Sequence, residues 1–564
     1  MTSPAQHSPA TASSESGEYT HRQILTIITG LMMGMFLGAL DQTIVSTSIR
    51  TIADDLHGLS VQAWVTTAYL ITSTITTPIY GRLGDIYGRK KLFMFAISLF
   101  IAGSALCSFA SSMYMLAAFR AVQGLGAGGL FTLVLAIIGD IVSPRERARY
   151  TGYFMATFGT SSVLGPVIGG FFASHAVILG LTGWRWVFLV NVPIGIAALF
   201  VVYRTLHVHH HRRDARIDWG GAVALVVALV PLLTVAEQGR SWGWASTGAM
   251  VCYLIGAVGV GSFYAVERRM GDDAMIPLRM FTIRPVAVGI GANIITGMAL
   301  FGGVLVLPLY MQIVHGASPM KSGFLMLPMV IGLMTASIIS GQVISRTGRI
   351  RGFPIFGSAL SALALLALSR ITADTALPLV MGLMLVLGYG LGNCMQPLLL
   401  ILQSAVPPRD IGVATASATF FRQIGGTIGV ALFLSILFGQ VGGHVGTALQ
   451  SESQTPAFQQ ALQHPVTPLD RQFAESLQTH GHSPLLGQVT EDSSFIQKLS
   501  PALAHPFKVG FAESMDIVFL CAGLIGLLAF FILLLMPKVE LRATSASAAV
   551  RSEAAPTAPV TDQV

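Results

Sequence analysis

Charge is what this chain has least of. Only 10% of its 564 residues are Asp, Glu, Lys or Arg, while 53% are hydrophobic and the mean hydropathy is +0.69. That balance excludes an ordinary soluble domain. Cysteine is equally sparse. The four, Cys107, Cys252, Cys394 and Cys521, fall in apolar runs without metal or redox spacing, so they read as small buried hydrophobes. No G-x-x-x-x-G-K-[ST] occurs, which removes a P-loop ATPase from this polypeptide. No nucleophile stands with a base and no metal-ligand cluster is spaced for use, so neither an enzyme nor a resident cofactor or metal is expected. The run HVHHHRR (207–213) reads as a solvated loop.

Long apolar runs are what the chain has instead. Crossing ~30 Å of hydrocarbon takes ~20 helical residues, and fourteen runs between residues 23 and 536 qualify. Most of the 33 Lys and Arg residues collect in alternate connections if both termini are cytoplasmic, as the positive-inside bias demands. The pI near 9.3 then follows from topology, and no nucleic-acid partner is needed. Residues 1–22, rich in Ser, Thr, Ala and Pro without a basic n-region, are expected to form a disordered tail.

The chain also repeats itself. GRLGDIYGRKK (81–91) is echoed by GQVISRTGRIR (341–351) at an offset of 260, and SPRER (143–147) by PPRDI (407–411) at 264. Two near-equal offsets imply two six-helix halves of like orientation. The expected units are a tail 1–22, a bundle 23–206, two inserted helices with linkers 207–285, a second bundle 286–536 and a tail 537–564. A long extracytoplasmic loop, 441–514, lies within the second bundle. Its segment SSFIQKLSPALAHPF is expected either as a short amphipathic helix at the membrane or as disordered chain.

Three charges fall inside apolar runs. Asp41 follows Gly34 and Gly38 on one helical face, Arg120 precedes Gly124 and Gly128, and Arg422 precedes Gly425, Gly426 and Gly429. Smooth stripes of small residues point these charges inward. A charge at bilayer depth costs about 2.5–3.5 kcal/mol on insertion scales, so each is a candidate functional group. Gln123, Asn293, Asn393, Gln396, Arg422 and Gln423 are candidates for lining a central cavity. In the 81–91 loop the glycines at 81, 84 and 88 allow a tight turn, and Asp85 sits where it could cap a helix or pair with an arginine. GPVIGG combines a Gly165-x-x-x-Gly169 spacing with Pro166 and Gly170, a pattern for close helix approach and a bend. RAVQGLGAGG (120–129) looks like a dinucleotide fingerprint, but no βαβ unit can surround it within a membrane span.

GRLGDIYGRKK resembles the loop signature of the major facilitator superfamily. LDQTIV, RAVQGLGAGG, GPVIGG, GWRWVFLVNVPIG (183–195) and RQIGGTIG (422–429) resemble the fourteen-helix EmrB/QacA-type drug:proton antiporters, and TIADDLHGL (51–59) resembles actinobacterial antibiotic exporters. The resemblance runs from about residue 22 to 540 and is weakest over 441–514. It implies an all-α polytopic membrane protein with the major facilitator fold. Gly81, Asp85, Gly88, Arg89 and Asp140 would form a cytoplasmic gating latch, and GPVIGG would mark antiporters. With Asp41 and Arg120 as the proton-coupling pair, the expected function is proton-driven export of amphiphilic small molecules from the cytoplasmic membrane, by a protein acting as a monomer. The alternative on the same fold is export of lipid or lipid-like envelope precursors.

Overall fold

A computed structural model describes residues 21–57, 63–142, 144–206, 218–407, 410–480 and 494–539. Both expected tails (apart from residues 21–22 and 537–539), the HVHHHRR run and Arg409 lie outside the described residues. The described chain is helical almost throughout. Its helices are α1 His21–Asp55, α2 Ala63–Tyr87, α3 Arg89–Ser108, α4 Met113–Ile141, α5 Pro144–Ser174, α6 Trp186–Leu189, α7 Asn191–Thr205, α8 Trp219–Trp242 and α9 Thr247–Met270. They continue with α10 Arg284–Ile313, α11 Pro319–Leu325, α12 Leu327–Thr347, α13 Gly352–Leu368, α14 Leu377–Ala405, α15 Ile411–Glu452, α16 Pro456–Gln463, α17 Pro468–His480 and α18 Pro501–Leu534.

Eleven of the described helical segments are long and apolar enough to cross a membrane, and two more, Arg284–Leu300 and Gly352–Leu368, are apolar but shorter. α2 is 25 residues long and falls outside that set because six threonines and a serine interrupt it. Several of those hydroxyls bond to carbonyls one turn back, as Thr72, Thr76 and Thr77 do to Ala68, Thr72 and Ser73 at 2.9 Å each. A threonine-rich helix is thereby made compatible with a dry environment.

Glycine sets the packing. A methyl group added at Gly124, Gly126 or Gly128 of α4 would collide with Tyr69 and Thr72 of α2, with Ala96 and Phe100 of α3, or with Ser73 and Thr76 of α2. One added at Gly165 or Gly169 of α5 would meet Thr43 or Ile44 of α1. The second half repeats this at the offsets of the loop echoes. Gly388, Gly390 and Gly392 press α14 on Met329, Ser361 and Leu333, while Gly425 and Gly429 press α15 on Ile294 and Met298 of α10. Close backbone approach is the main source of helix adhesion where lipid removes the hydrophobic drive.

The pair α8–α9 packs on itself and touches α2 and α15. Of its two helices α9 is the more exposed, presenting Met250, Leu254 and Val258 outward. Contacts between the two bundles run mainly between α2 and α15 and between α5 and α12, with α4 also touching α15 and α5 also touching α11 and α14.

The segment expected as a long loop is largely built. α15 runs 42 residues, through position 452, and α16, α17 and a short 3-10 turn, Ser494–Lys498, follow it. The last long helix begins at Pro501, fourteen residues before the expected span, because Leu503, Phe507 and Phe511 are buried there despite nearby Lys508 and Glu513. Phe458, Phe473, Phe495 and Leu499 join the same buried cluster as Tyr310, Leu437 and Val445, so this cap continues the core of the second bundle. Asp470 fastens it, accepting from the backbone N–H groups of Thr467 and Ser500, both at 2.9 Å, and Val466 at 3.2 Å.

Candidate functional site

Five helices of the first bundle converge on one carboxylate. Asp41 lies midway along α1, on the face carrying Gly34 and Gly38, and has no exposed surface. Arg120, near the start of α4, donates from Nη1 to Asp41 Oδ2 at 2.6 Å. Gln123, one turn on, donates from Nε2 to Asp41 Oδ1 at 2.9 Å, and Asn191, the first residue of α7, donates to the same oxygen at 2.7 Å. All four residues are at most 1% exposed.

The surrounding shell holds these groups in place. Arg120 Nη1 also donates to Gln123 Oε1 at 2.7 Å, and its guanidinium lies 4.0 Å from the ring centroid of Tyr69 on α2. Gln123 Nε2 donates to Ser104 Oγ of α3 at 2.6 Å. The carboxylate therefore accepts three side-chain bonds, two from neutral amides and one from a cation. A buried ion pair is tolerable only when its remaining lone pairs and protons are so satisfied.

Sequence reading found Asp41, Arg120 and Gln123 but assigned Gln123 to the central cavity, whereas it is wholly buried within the first bundle against Asp41. Asn191, Ser104 and Tyr69 were missed. The signal for Asn191 was on the page: in WVFLVNVPIG it is the one amide in an apolar run.

The remaining candidates divide by location. Arg422 and Gln423 are half-buried on α15, and Gln423 Oε1 accepts from Thr77 Oγ1 of α2 at 3.3 Å, across the two bundles. Asn293 and Asn393 are buried and turn their amides to carbonyls of their own helices, Gly289 at 3.0 Å and Tyr389 at 2.8 Å. Asn393 packs beside Gly357 of α13, inside the second bundle. Gln396 is half-buried on α14.

A second cluster occupies the end of the bundle where α2 turns into α3. Gly88 makes that turn at φ 94°, a conformation that favours glycine. It sets Arg89 between Asp85, 2.8 Å away, and Asp140 of α4, with which it forms a closer contact. Asp85 in turn lies against Gly412 in the first turn of α15, and Gly81 against Ala416. The carboxylate faces the helix N-terminus, where the backbone N–H groups and dipole favour negative charge. Beside it Arg82 pairs with Asp273 at 3.3 Å and Arg279 with Asp410 at 3.1 Å. These contacts bind the first bundle, the α9–α10 connection and α15 at this one end. Pro166 of α5 packs on Gly323 of α11, and Gly159 on Val330 of α12, along the other bundle contact. Gly170 is half-buried at the end of the same stripe.

Long apolar helices in two bundles, with an ion pair sealed inside one of them, fit an integral membrane transporter. The family model of the Major Facilitator Superfamily matches residues 31–430. The chain belongs to that superfamily. It is 35% identical over 415 residues to the multidrug transporter protein MdtP of Bacillus subtilis, covering 73% of this chain and 75% of that one. It is 36% identical over 408 residues to multidrug resistance protein 3 of the same organism, covering 71% and 77%. Among solved structures, the proton:xylose symporter XylE shares the fold at TM-score 0.59 and 14% identity, with 94% of this chain and all of that one covered. The human organic anion transporter MFSD10 aligns at TM-score 0.57 and 13% identity, covering 90% and 99%.

Proposed function

We propose that this chain is a proton-coupled exporter of amphiphilic small molecules, working by alternating access in the cytoplasmic membrane with both termini inside. The observation that carries the reading is Asp41, a carboxylate sealed at bilayer depth against Arg120. A proton driven onto Asp41 removes one charge of a buried pair and leaves the other in need of compensation. That change in local charge favours a different helix arrangement, which is the coupling an exchanger requires. Because Asp41 has no exposed surface, cargo and proton communicate through the packing of α1, α4 and α7 rather than by touching. Arg422 and Gln423, half-buried on α15, are the cavity groups nearest the seam between bundles.

The contacts of Asp85 with Gly412 and of Gly81 with Ala416 support a gate closed on the proposed cytoplasmic side, with Arg89 and Asp140 as the rest of the latch. We further propose that residues 23–206 and 286–536 move as units, that 207–285 is an inserted pair, and that one chain suffices for transport. The names of the bacillar relatives support a drug-like cargo.

The test is efflux from everted vesicles across a panel of dyes and antibiotics, with and without an uncoupler. Asp41→Asn is expected to abolish gradient-driven efflux at normal expression. Full uncoupler-sensitive efflux in that variant would refute the proton-carrier role.

A further inference from the structure

Asn191 is unaccounted for by a simple ion pair. Its amide nitrogen donates to Asp41, while its amide oxygen is buried without a hydrogen-bond partner. We infer that Asn191 is the positioning residue that follows the proton on Asp41, its amide turning over so that both protonation states of the carboxyl are hydrogen-bonded. This rests on Asp41 being the proton carrier.

The argument is one of donor inventory. As a carboxylate, Asp41 is an acceptor only, and Arg120, Gln123 and Asn191 all present N–H groups to it. Once a proton binds Oδ1, a new O–H bond exists and needs an acceptor, and a donor facing it becomes repulsive. Arg120 has no acceptor to offer. Gln123 is locked, because its Oε1 already accepts from Arg120 and its Nε2 bridges Asp41 and Ser104. Turning it would break the contact to Arg120. Of the three residues that bond Asp41, Asn191 alone holds an unused acceptor.

A half-turn about its last torsion exchanges nitrogen and oxygen, setting Oδ1 at the 2.7 Å now separating Nδ2 from Asp41 Oδ1. That separation suits O–H···O as well as N–H···O. Ser104 Oγ, 3.5 Å from the same position, is placed to turn its hydroxyl proton toward the new oxygen. Arg120 keeps its charge and remains held by Gln123, by the ring of Tyr69 and by the Val65 carbonyl at 3.5 Å. The titratable groups facing the site are Arg120 from α4, Tyr69 from α2 and Cys107 from α3, whose Sγ lies 3.9 Å from Gln123 Oε1. From α5 the nearest described contact is the Ser161 carbonyl on Thr43, an uncharged group. Asp41 is the one carboxylate among them.

The experiment is pH-difference infrared spectroscopy of the full-length transporter in lipid vesicles. In the wild type a carboxylic-acid band is expected to grow on acidification together with a shifted side-chain amide carbonyl. Asn191→Ala should lose the amide feature, keep the acid band and move its midpoint upward by about one pH unit, since the bond to the charged form is the stronger of the two that are lost. Asn191→Ser, whose hydroxyl donates or accepts, should recover part of that shift and guards against a folding defect in the alanine variant. An amide feature that survives Asn191→Ala, or a midpoint that stays put, overturns the assignment to Asn191. Subtracting the Asp41→Asn spectrum isolates the Asp41 band from those of the other carboxyls, such as Glu267 and Asp516; if no band is lost in that variant, the proton-carrier reading itself is overturned, and this inference falls with it.

Discussion

The two bundles are the same scaffold filled with opposite chemistry. Gly124, Gly126 and Gly128 recur 264 residues later as Gly388, Gly390 and Gly392, and the carbonyls they approach, Tyr69 and Ser73, recur as Met329 and Leu333. At the same offsets Arg120 becomes Met384, Gln123 becomes Leu387 and Tyr69 becomes Met329. Met384 and Leu387 are as buried as their polar counterparts and belong to the apolar core. The fold therefore does not need the charge. A bundle of this shape closes well over methionine and leucine, so the ion pair in the first bundle is retained for something other than packing.

That contrast can be broken most sharply by making the first bundle resemble the second. Arg120→Met alone should destabilise by about 3–5 kcal/mol, because it leaves Asp41 buried and uncompensated. The combination Asp41→Leu, Arg120→Met and Gln123→Leu should recover most of that loss in the detergent-purified protein, short of the wild type by the roughly 1–3 kcal/mol that unpairing the Asn191 amide costs. It should remain inert in vesicle efflux. A triple variant that is both stable and active would end the functional distinction between the bundles.

Next come the matched glycines. Gly124→Ala and Gly388→Ala force a methyl group onto backbone carbonyls, and each should cost about 1–3 kcal/mol. Equal losses in thermal midpoint would confirm equivalent scaffolds. Gly261→Ala on α9, where a methyl meets nothing within 4 Å, serves as control and should be neutral or stabilising by up to about 1 kcal/mol.

A smaller effect is expected at the gate. Asp85→Asn keeps its shape against Gly412 but weakens the attraction to Arg89 and to the α15 terminus, each worth about 1 kcal/mol. Efflux should fall severalfold and the thermal midpoint by a few degrees. The second bundle offers a comparison, since the echo of Asp85 is Ser345, which bonds to its own helix at Gln342.

The smallest effect concerns the cap. Backbone N–H groups of Ser500, Thr467 and Val466 hold Asp470 below the ordinary carboxylate range, against the opposing pull of burial. A depressed value in the folded state means that its contribution is complete above the ordinary carboxylate range and is lost as pH falls through the folded value. Protection against hydrogen exchange over residues 494–503, taken relative to the intrinsic rate at each pH, should fall on acidification in the wild type and be low at all pH in Asp470→Ala.

Much of this was legible in the sequence. A charge among glycines within an apolar run admits few environments, so Asp41 and Arg120 stood out, and the loop echoes supplied the offsets that the glycines obey. Asn191 did not stand out, because a neutral amide leaves hydropathy almost unchanged and its partner lies 150 positions away. Gln123 was seen but misplaced, since helical spacing from Arg120 gives its face and not what lies opposite. The cap was missed for a different reason. Its helices are short and polar, and their phenylalanines are buried because the first turns of α18 meet them, with Phe473 and Phe495 packing on Phe507.

Its length makes α15 a lever. At 1.5 Å per residue its 42 residues reach roughly 63 Å, about twice the hydrocarbon thickness. One end carries the contacts to Asp85 and Gly81, and the other carries Glu452, which binds His505 at 2.7 Å beneath the cap. A tilt of a few degrees at the gate becomes a displacement of several ångströms at the far tip. Whatever the two bundles do inside the membrane is thus written, enlarged, on a surface that a label outside the bilayer can read.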